Sequence, residues 1–191
     1  VYNNKDDLFF STSGLGGEVK MEGFLNLNQK KKKLSSLTMN VDTDNIRNLA
    51  GIISKHNINK SNLEGRIQAD MVSDFDLDDL SQTDLRIKID TLSASFPGVR
   101  IEENQRPYLF EIKKGVFENW DQEIKGKGFE LKTKAVGNLK NRFDLSNKFK
   151  FNSSIVELIT DFVEKSDGEI SGVHNVFGNA ENLDHFMNIE G

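Results

Sequence analysis

Apolar residues fall on every second position through almost the whole chain, from about Asp6 to Glu190. The segments GEVKMEGFLNL, SLTMNV, LEGRIQADM, DLRIKID, YLFEIKKG, GFELKTKA, RFDLSNKFKF and GEISGVHNVFGN all follow this rule. A strand turns successive side chains to opposite faces, so a period of two means a sheet with one wet face and one dry face. A chain built this way must hide its dry face against something, and that something decides its function.

Composition narrows the choice. Of 191 residues, 36% are hydrophobic and 29% charged, enough for a folded core but a low apolar share for a sheet covered on both faces. The length allows one domain or two small ones. Fourteen Phe supply bulk without a polar tip, against one Trp and two Tyr. The net charge of −5 gives no general attraction to nucleic acid or anionic headgroups. The absence of cysteine excludes disulfides, thiolate zinc sites and cysteine nucleophiles, and suits an oxidising compartment. No stretch approaches the roughly 18 uncharged apolar residues of a membrane span. The chain starts at Val1 without a signal-like segment, so it is expected to be a piece of something longer, with any targeting segment outside it.

Two short helices are expected among the strands. DTDNIRNLAGIISKH carries Ile46, Leu49, Ala50 and Ile53 at helical spacing behind Thr43 or Asp44 as N-cap. NSSIVELITDFVEKSDG pairs Ser154 with Glu157 as a capping box, stripes Ile155, Leu158, Ile159 and Phe162, and ends at Gly168. Their flanks match. Met39-Asn-Val41 and Phe149-Lys-Phe151 precede them, Leu63-Glu-Gly65 and Ile170-Ser-Gly172 follow, and Ile46 aligns with Ile155. This is a weak internal repeat of 37–72 and 149–183, of the kind found in extended repetitive architectures. Strands are expected near 63–72, 84–96, 99–102, 108–113, 115–125, 127–136 and 138–151. Turn signals at Pro97-Gly98, Lys113-Gly115 and Gly137-Asn138 point to an antiparallel meander. About twelve strands at ~4.8 Å make a sheet on the order of 55 Å long, which must curl or split.

The residues that carry chemistry elsewhere have plainer explanations here. Asp74, Asp76, Asp78 and Asp79 have the spacing of a calcium loop, but Asp79 stands at the glycine position and Leu85 at the bidentate glutamate position. A solvated loop is the better reading. Lys30, Lys31, Lys32 and Lys33 lack interleaved aromatics and suit a charged hairpin tip. His56, His174 and His185 are scattered, with no partner at metal-ligand spacing. The pairs Asp6-Asp7, Asp78-Asp79 and Glu102-Glu103 would point to opposite faces of a strand and cannot share a substrate. Gly14-Leu15-Gly16-Gly17 is followed by no phosphate-binding lysine. No metal site, cofactor or catalytic constellation is expected.

The strand grammar (apolar)-x-Gly-x-(apolar)-x-(apolar), the short helix after a strand, and the run from Leu63 to Gly178 resemble the TamB branch of the AsmA-like bridge proteins. Within that run the resemblance is carried by GRIQADM, DLRIKIDTLSASFPGVRI, PYLFEIKKGVFE, IKGKGFELKTKAVG, Ile170-Ser-Gly172 and Val176-Phe-Gly178. The lysine-rich surface departs from the family pattern only on the outer face. The resemblance implies one segment, residues 1–191, of a long antiparallel meander sheet curled into an open half-pipe, a β-taco-like groove. It implies a periplasmic part of an inner-membrane-anchored protein that carries phospholipid or another hydrophobic client. It further implies an outer-membrane β-barrel partner of the Omp85 type, reached through regions outside this segment, and a role in outer-membrane protein assembly. The alternation supplies the expected lining: Val19, Met21, Leu25, Leu27, Met39, Val41, Leu63, Ile67, Ala69, Leu85, Ile87, Ile89, Phe110, Ile112, Phe129, Leu131, Phe143, Leu145, Phe149 and Phe151. The competing expectation is a structural or carbohydrate-binding β-sandwich in which these residues form a filled core. Few Trp and Tyr count against a carbohydrate platform, and the lack of a titratable cluster counts against an enzyme.

Overall fold

The computed structural model describes residues 2–4, 7–14, 18–27, 34–47, 49, 62–156 and 168–191. It is a mainly β protein of antiparallel strands in two sheets. The first sheet contains β1 (Tyr2–Asn4), β2 (Asp7–Gly14), β3 (Val19–Asn26), β4 (Ser35–Thr43), β5 (Glu64–Phe75), β6 (Asp84–Phe96), β7 (Val99–Ile101), β8 (Tyr108–Lys113) and β9 (Val116–Glu118). The second contains β10 (Asp121–Gly126), β11 (Phe129–Gly137), β12 (Phe143–Asn152), β13 (Glu169–Gly178) and β14 (Leu183–Glu190). Neighbours in the chain are neighbours in the sheet, except that β7 and β8 share one edge of β6. Each sheet is an open path, and neither closes into a barrel.

The turns explain the meander. Pro97 and Gly98 join β6 to β7 across the pair Phe96–Val99, and Gly98 takes the positive φ of 82° that the third position of a type II turn requires. Lys114 and Gly115, at φ 47° and 74°, form a two-residue turn between β8 and β9, whose primed geometry matches the twist of the flanking strands.

Two expectations from sequence need revision, and a third falls mostly beyond what the structure describes. The single strand expected over 115–125 is broken into β9 and β10. Asn119 adopts φ 51°, donates its amide to Glu111, and swings Trp120 against Phe110 and Phe117. The strand expected from 138 starts at Phe143, because Asn138 accepts from the Asn141 N–H at 2.7 Å and closes a loop. The two helices fall largely outside the described residues. Ile46, Arg47 and Leu49 are helical, and Ser153–Ile155 form a 3-10 turn, but 50–61 and 157–167 are not described, and the described residues contain no helix of seven residues or more.

One side chain acts as a piece of backbone. β6 pairs with β8 through Ile89 and with β7 from Ala94, leaving a gap beside the bulge at Asp90. Asn104 fills it, accepting from Leu92 N–H at 2.6 Å and donating to the carbonyls of Asp90 at 3.0 Å and Arg106 at 2.7 Å. A buried ladder position without a partner would cost about 1–3 kcal/mol, which this amide avoids.

The two sheets meet where β7, β8 and β9 pack against β10 and β11. Arg100 and Lys127 exchange backbone hydrogen bonds at 2.8 and 2.9 Å, and Leu139 N–H reaches the Gly115 carbonyl at 2.8 Å. The rings of Phe110, Trp120, Phe117 and Phe143 form a chain across the joint, with centroids 5.1–5.3 Å apart. The most buried apolar side chains of this region, Val99, Ile112, Ile124, Ala135 and Phe143, cluster around that joint.

Candidate functional site: the apolar face

Register converts the alternation into rows. Because antiparallel partners share a face, Val19, Val41, Ala69, Ile89 and Tyr108 form one row across β3, β4, β5, β6 and β8. Met21, Met39, Met71, Ile87 and Phe110 form the next, and Gly23, Leu37, Ser73, Leu85 and Ile112 the third. Ile67 lies beyond Ala69 on the same face and opposite Leu92. Leu25 extends the face toward β2 through Leu8.

The second sheet continues with Phe129, Phe151 and Ile170 in one row, and Ile124, Leu131, Phe149, Gly172 and Ile189 in the next. Ala135, Leu145, Val176 and His185 form another, then Gly137, Phe143, Gly178 and Leu183. Of the twenty residues expected to line a groove, these rows unite all but Leu25, Leu27, Leu63 and Ile67. Leu25 and Ile67 adjoin the rows, whereas Leu27 lies past the end of β3, half exposed, and Leu63 is buried just before β5. Most of the face is neither exposed nor buried. Val41, Ile112 and Phe143 are buried in it, while Met21, Met39, Ile87, Phe129, Leu131, Leu145 and Phe149 are half-buried.

Sequence reasoning missed a polar band. Gln122, Thr133, Asn147 and His174 form a complete row across β10, β11, β12 and β13, between the Leu131 and Leu145 rows. Gln122 donates to the carbonyls of Leu109 at 2.9 Å and Asn119 at 3.1 Å, tying the band to the first sheet. His174 and His185, widely separated in sequence, lie with ring centroids 6.4 Å apart. The signal was present: Thr133 and Asn147 occupy the same odd phase as Phe129, Leu131, Leu145 and Phe149.

Rings also lie over glycines. Phe10 is the registered partner of Gly23, and a Cβ on Gly23 would sit 2.2 Å from its ring tip. Phe149 is the registered partner of Gly172, with the equivalent distance 2.6 Å. In both pairs the missing side chain lets a phenyl ring lie down along the sheet, so it adds apolar area without standing up as a ridge.

The opposite face is wet and ion-paired over most of its extent, with Phe24 buried against Phe9 near the start of the first sheet. Lys113 meets Glu118 at 2.7 Å, Lys125 meets Glu123 at 3.0 Å, and Lys150 meets Glu169 at 2.8 Å. In each case the hydrogen bond to that carboxylate holds the lysine above its ordinary pKa. These pairs are exposed and add little stability. A concavity of about 830 Å³ on this face gathers Asp84, Arg86, Glu111, Lys113 and Glu118. Cations and carboxylates pair across the β8–β9 turn, with Arg86 3.8 Å and Lys113 3.8 Å from Glu111. Tyr108, at the end of an apolar row, is the titratable group that burial shifts, its pKa raised by desolvation.

The remaining candidates have local roles. Asp76 accepts from the Asp78 N–H at 2.9 Å, and Asp79 caps the turn at Leu80–Gln82 through the Ser81 N–H and hydroxyl. Among the described residues no three His, Asp or Glu side chains converge on a metal position. Lys30–Lys33, His56 and Leu15–Gly17 lie outside the described residues.

Fold and site together define an antiparallel β protein of two sheets, each with rows of apolar residues on one face and ion pairs on the other. No family model, characterised protein or solved structure matches the chain significantly.

Proposed function

We propose that the apolar rows form the floor of an open groove, a half-pipe that shields the acyl chains of phospholipid while headgroups stay in water. The observation that carries this reading is the incomplete burial of the rows: Met21, Met39, Ile87, Phe129, Leu131, Leu145 and Phe149 are half-buried, as expected of a dry face that no second layer fully covers. Shielding acyl surface is worth roughly 25 cal/mol for each Å², with no chemical step. Rows of similar residues give successive positions similar free energies, so a chain can shift along the floor without a deep trap.

The strand grammar shared with AsmA-like bridge proteins supports the wider assignment. The chain would be a periplasmic section of an inner-membrane-anchored bridge, working with an outer-membrane barrel of the Omp85 type through other regions. Its role would be binding and passage rather than catalysis.

Photocrosslinking from single positions tests the reading. A photoreactive side chain at Leu131, Ile87 or Met39 is expected to label added phospholipid, while one at the outward neighbours Lys132, Arg86 or Thr38 is not. Equal labelling on both faces, or none on either, would sink the groove and favour a sandwich with a filled core.

A further inference from the structure

We propose that His174, His185 and Met187 form a copper site on the β13–β14 hairpin, able to take the ion in either oxidation state. The three side chains meet through register. β13 and β14 pair without a shift from Ser171 to Gly178, with His174 opposite Met187 and Val176 opposite His185. Positions two apart on a strand share a face, so these four side chains form one patch. It lies on the apolar face, because His174 continues the Asn147 row and Val176 the Leu145 row.

The phase of the ladder sets how close they stand. Asn179 and Asn182 donate to each other's carbonyls at 3.0 and 3.3 Å, so they are a hydrogen-bonded pair. Such pairs alternate with non-hydrogen-bonded ones. His174–Met187 and Val176–His185 are therefore of the second kind, with opposite Cα atoms about 4.5 Å apart and side chains at their closest. The His174 and His185 rings lie on the diagonal of the patch, with centroids 6.4 Å apart and planes tilted by 65°. A metal-bound imidazole holds its centroid about 3.2 Å from the ion, so two rings on one ion stand roughly 5–6.4 Å apart as their angle opens from tetrahedral to linear. The observed distance is at the wide end of that range. Side-chain rotation alone covers the rest. Met187 neighbours both rings, opposite His174 and two positions along the strand from His185.

The donor set chooses the metal. Imidazole suits zinc, copper, iron and nickel, whereas a thioether is soft and favours Cu(I), so two imidazoles with one thioether point to copper. Hard anions are kept off this patch. Asp184 and Glu190 occupy the alternate positions of β14 and face the other way. Asn147, opposite His174, offers an amide oxygen as a fourth donor.

Metal titration of the 191-residue protein tests the site. Cu(II) is added in air, and Cu(I) is added anaerobically with ascorbate, in competition with a chromogenic Cu(I) chelator. One ion of either kind is expected to bind each chain at micromolar protein and to raise the midpoint of thermal unfolding. His174→Gln and His185→Gln are each expected to weaken Cu(II) at least about tenfold, the loss that removing even an outer-shell partner brings. Met187→Leu keeps the side-chain volume but loses the sulfur. It is expected to weaken Cu(I) at least about tenfold while leaving Cu(II) within about threefold. His56→Gln is expected to bind like the unchanged chain. Circular dichroism of each variant before titration separates a lost site from a lost fold. The proposal fails if no copper binds, or if either His174→Gln or His185→Gln holds Cu(II) as tightly as the unchanged chain. It also fails if Met187→Leu moves both oxidation states alike, or if His56→Gln abolishes binding. None of these readouts involves lipid, so they stand apart from the groove test.

Discussion

The dry faces of the two sheets are built differently. In the first sheet, rows of Val, Ile and Met run across five strands, with Ser73 the polar exception in the third. In the second, the Leu131–Phe149 row and the Ala135–Leu145–Val176 row flank a band of Gln122, Thr133, Asn147 and His174, and Phe129, Phe151 and Phe143 lie one row farther out. Flexible thioethers and β-branched residues make a continuous floor, whereas the second sheet offers two apolar strips divided by hydrogen-bonding groups. What the faces share is the joint. Burial is deep where they meet, around Ile112, Ile124, Ala135 and Phe143, whereas most of the rows away from it are half-buried, with Phe24, Val41 and Leu63 buried farther along the first sheet. The joint holds the structure together, and the open rows are then free to differ.

The sharpest way to break that contrast is to cut the joint. Phe143 is 6% exposed, contacts Phe117 at 5.1 Å and faces Gly137 and Gly178. Phe143→Ala is expected to cost about 3–5 kcal/mol in urea unfolding. The half-buried Leu131→Ala is expected to cost clearly less. Equal losses at the two positions would mean that the rows are as tightly packed as the joint, and the distinction would be gone.

Next in size is Asn104. Its amide serves three backbone groups beside the Asp90 bulge. Asn104→Ala leaves the Leu92 N–H and two carbonyls to find new partners, and is expected to cost about 1–3 kcal/mol. Hydrogen exchange should accelerate locally at Leu92. Uniform acceleration across the second sheet would show that the bulge is not a local device of the first.

Much of this was legible in the residues, and the misses have physical causes. Alternation marked the wet and dry phases of β3, β4, β5, β6, β8, β11 and β12, because burial on one face acts on every second side chain. Pro97-Gly98 and Lys114-Gly115 marked their turns because each supplies a backbone conformation that few residues tolerate. The break at Asn119 escaped notice, since φ 51° in a short strand depends on contacts with Glu111, Phe110 and Phe117, all remote from a local pattern. The polar band was missed because Thr133 and Asn147, taken singly, look like interruptions of the alternation. Only register sets them beside Gln122 and His174. Likewise, His174 and His185 become neighbours through the β13–β14 hairpin, which no ligand spacing encodes.

The band itself gives a smaller, two-sided test. Asn147→Leu would join the apolar strips on either side, and Met71→Asn would plant a polar group in the middle of the Met21–Phe110 row. With a fluorescent fatty acid as probe, Asn147→Leu is expected to raise affinity a few-fold and Met71→Asn to lower it by a similar factor. Each change moves roughly one buried side chain's worth of apolar contact, of which a mobile ligand recovers only part. If both substitutions leave the probe unaffected, it does not bind on these rows.

The smallest expected effect is at Gly23. The three atoms nearest to a methyl group there all belong to the ring of Phe10, at 2.2, 2.4 and 3.0 Å. The ring is the free end of a side chain and can swing away. Replacing glycine by alanine in a strand also restricts the unfolded chain, which stabilises by a few tenths of a kcal/mol or more. The two effects oppose each other, so Gly23→Ala is expected to change stability by less than about 1 kcal/mol. What should change is the relief of the floor, with Phe10 lifted off the sheet and more exposed to solvent. At Gly172 the same substitution meets the Asn188 carbonyl at 2.4 Å as well as Phe149, so it must also push β14 outward and should cost more. A larger loss at Gly172 than at Gly23 would show that the two glycines serve different ends. The first only lays a ring flat, while the second lets a ring lie flat and an edge strand close.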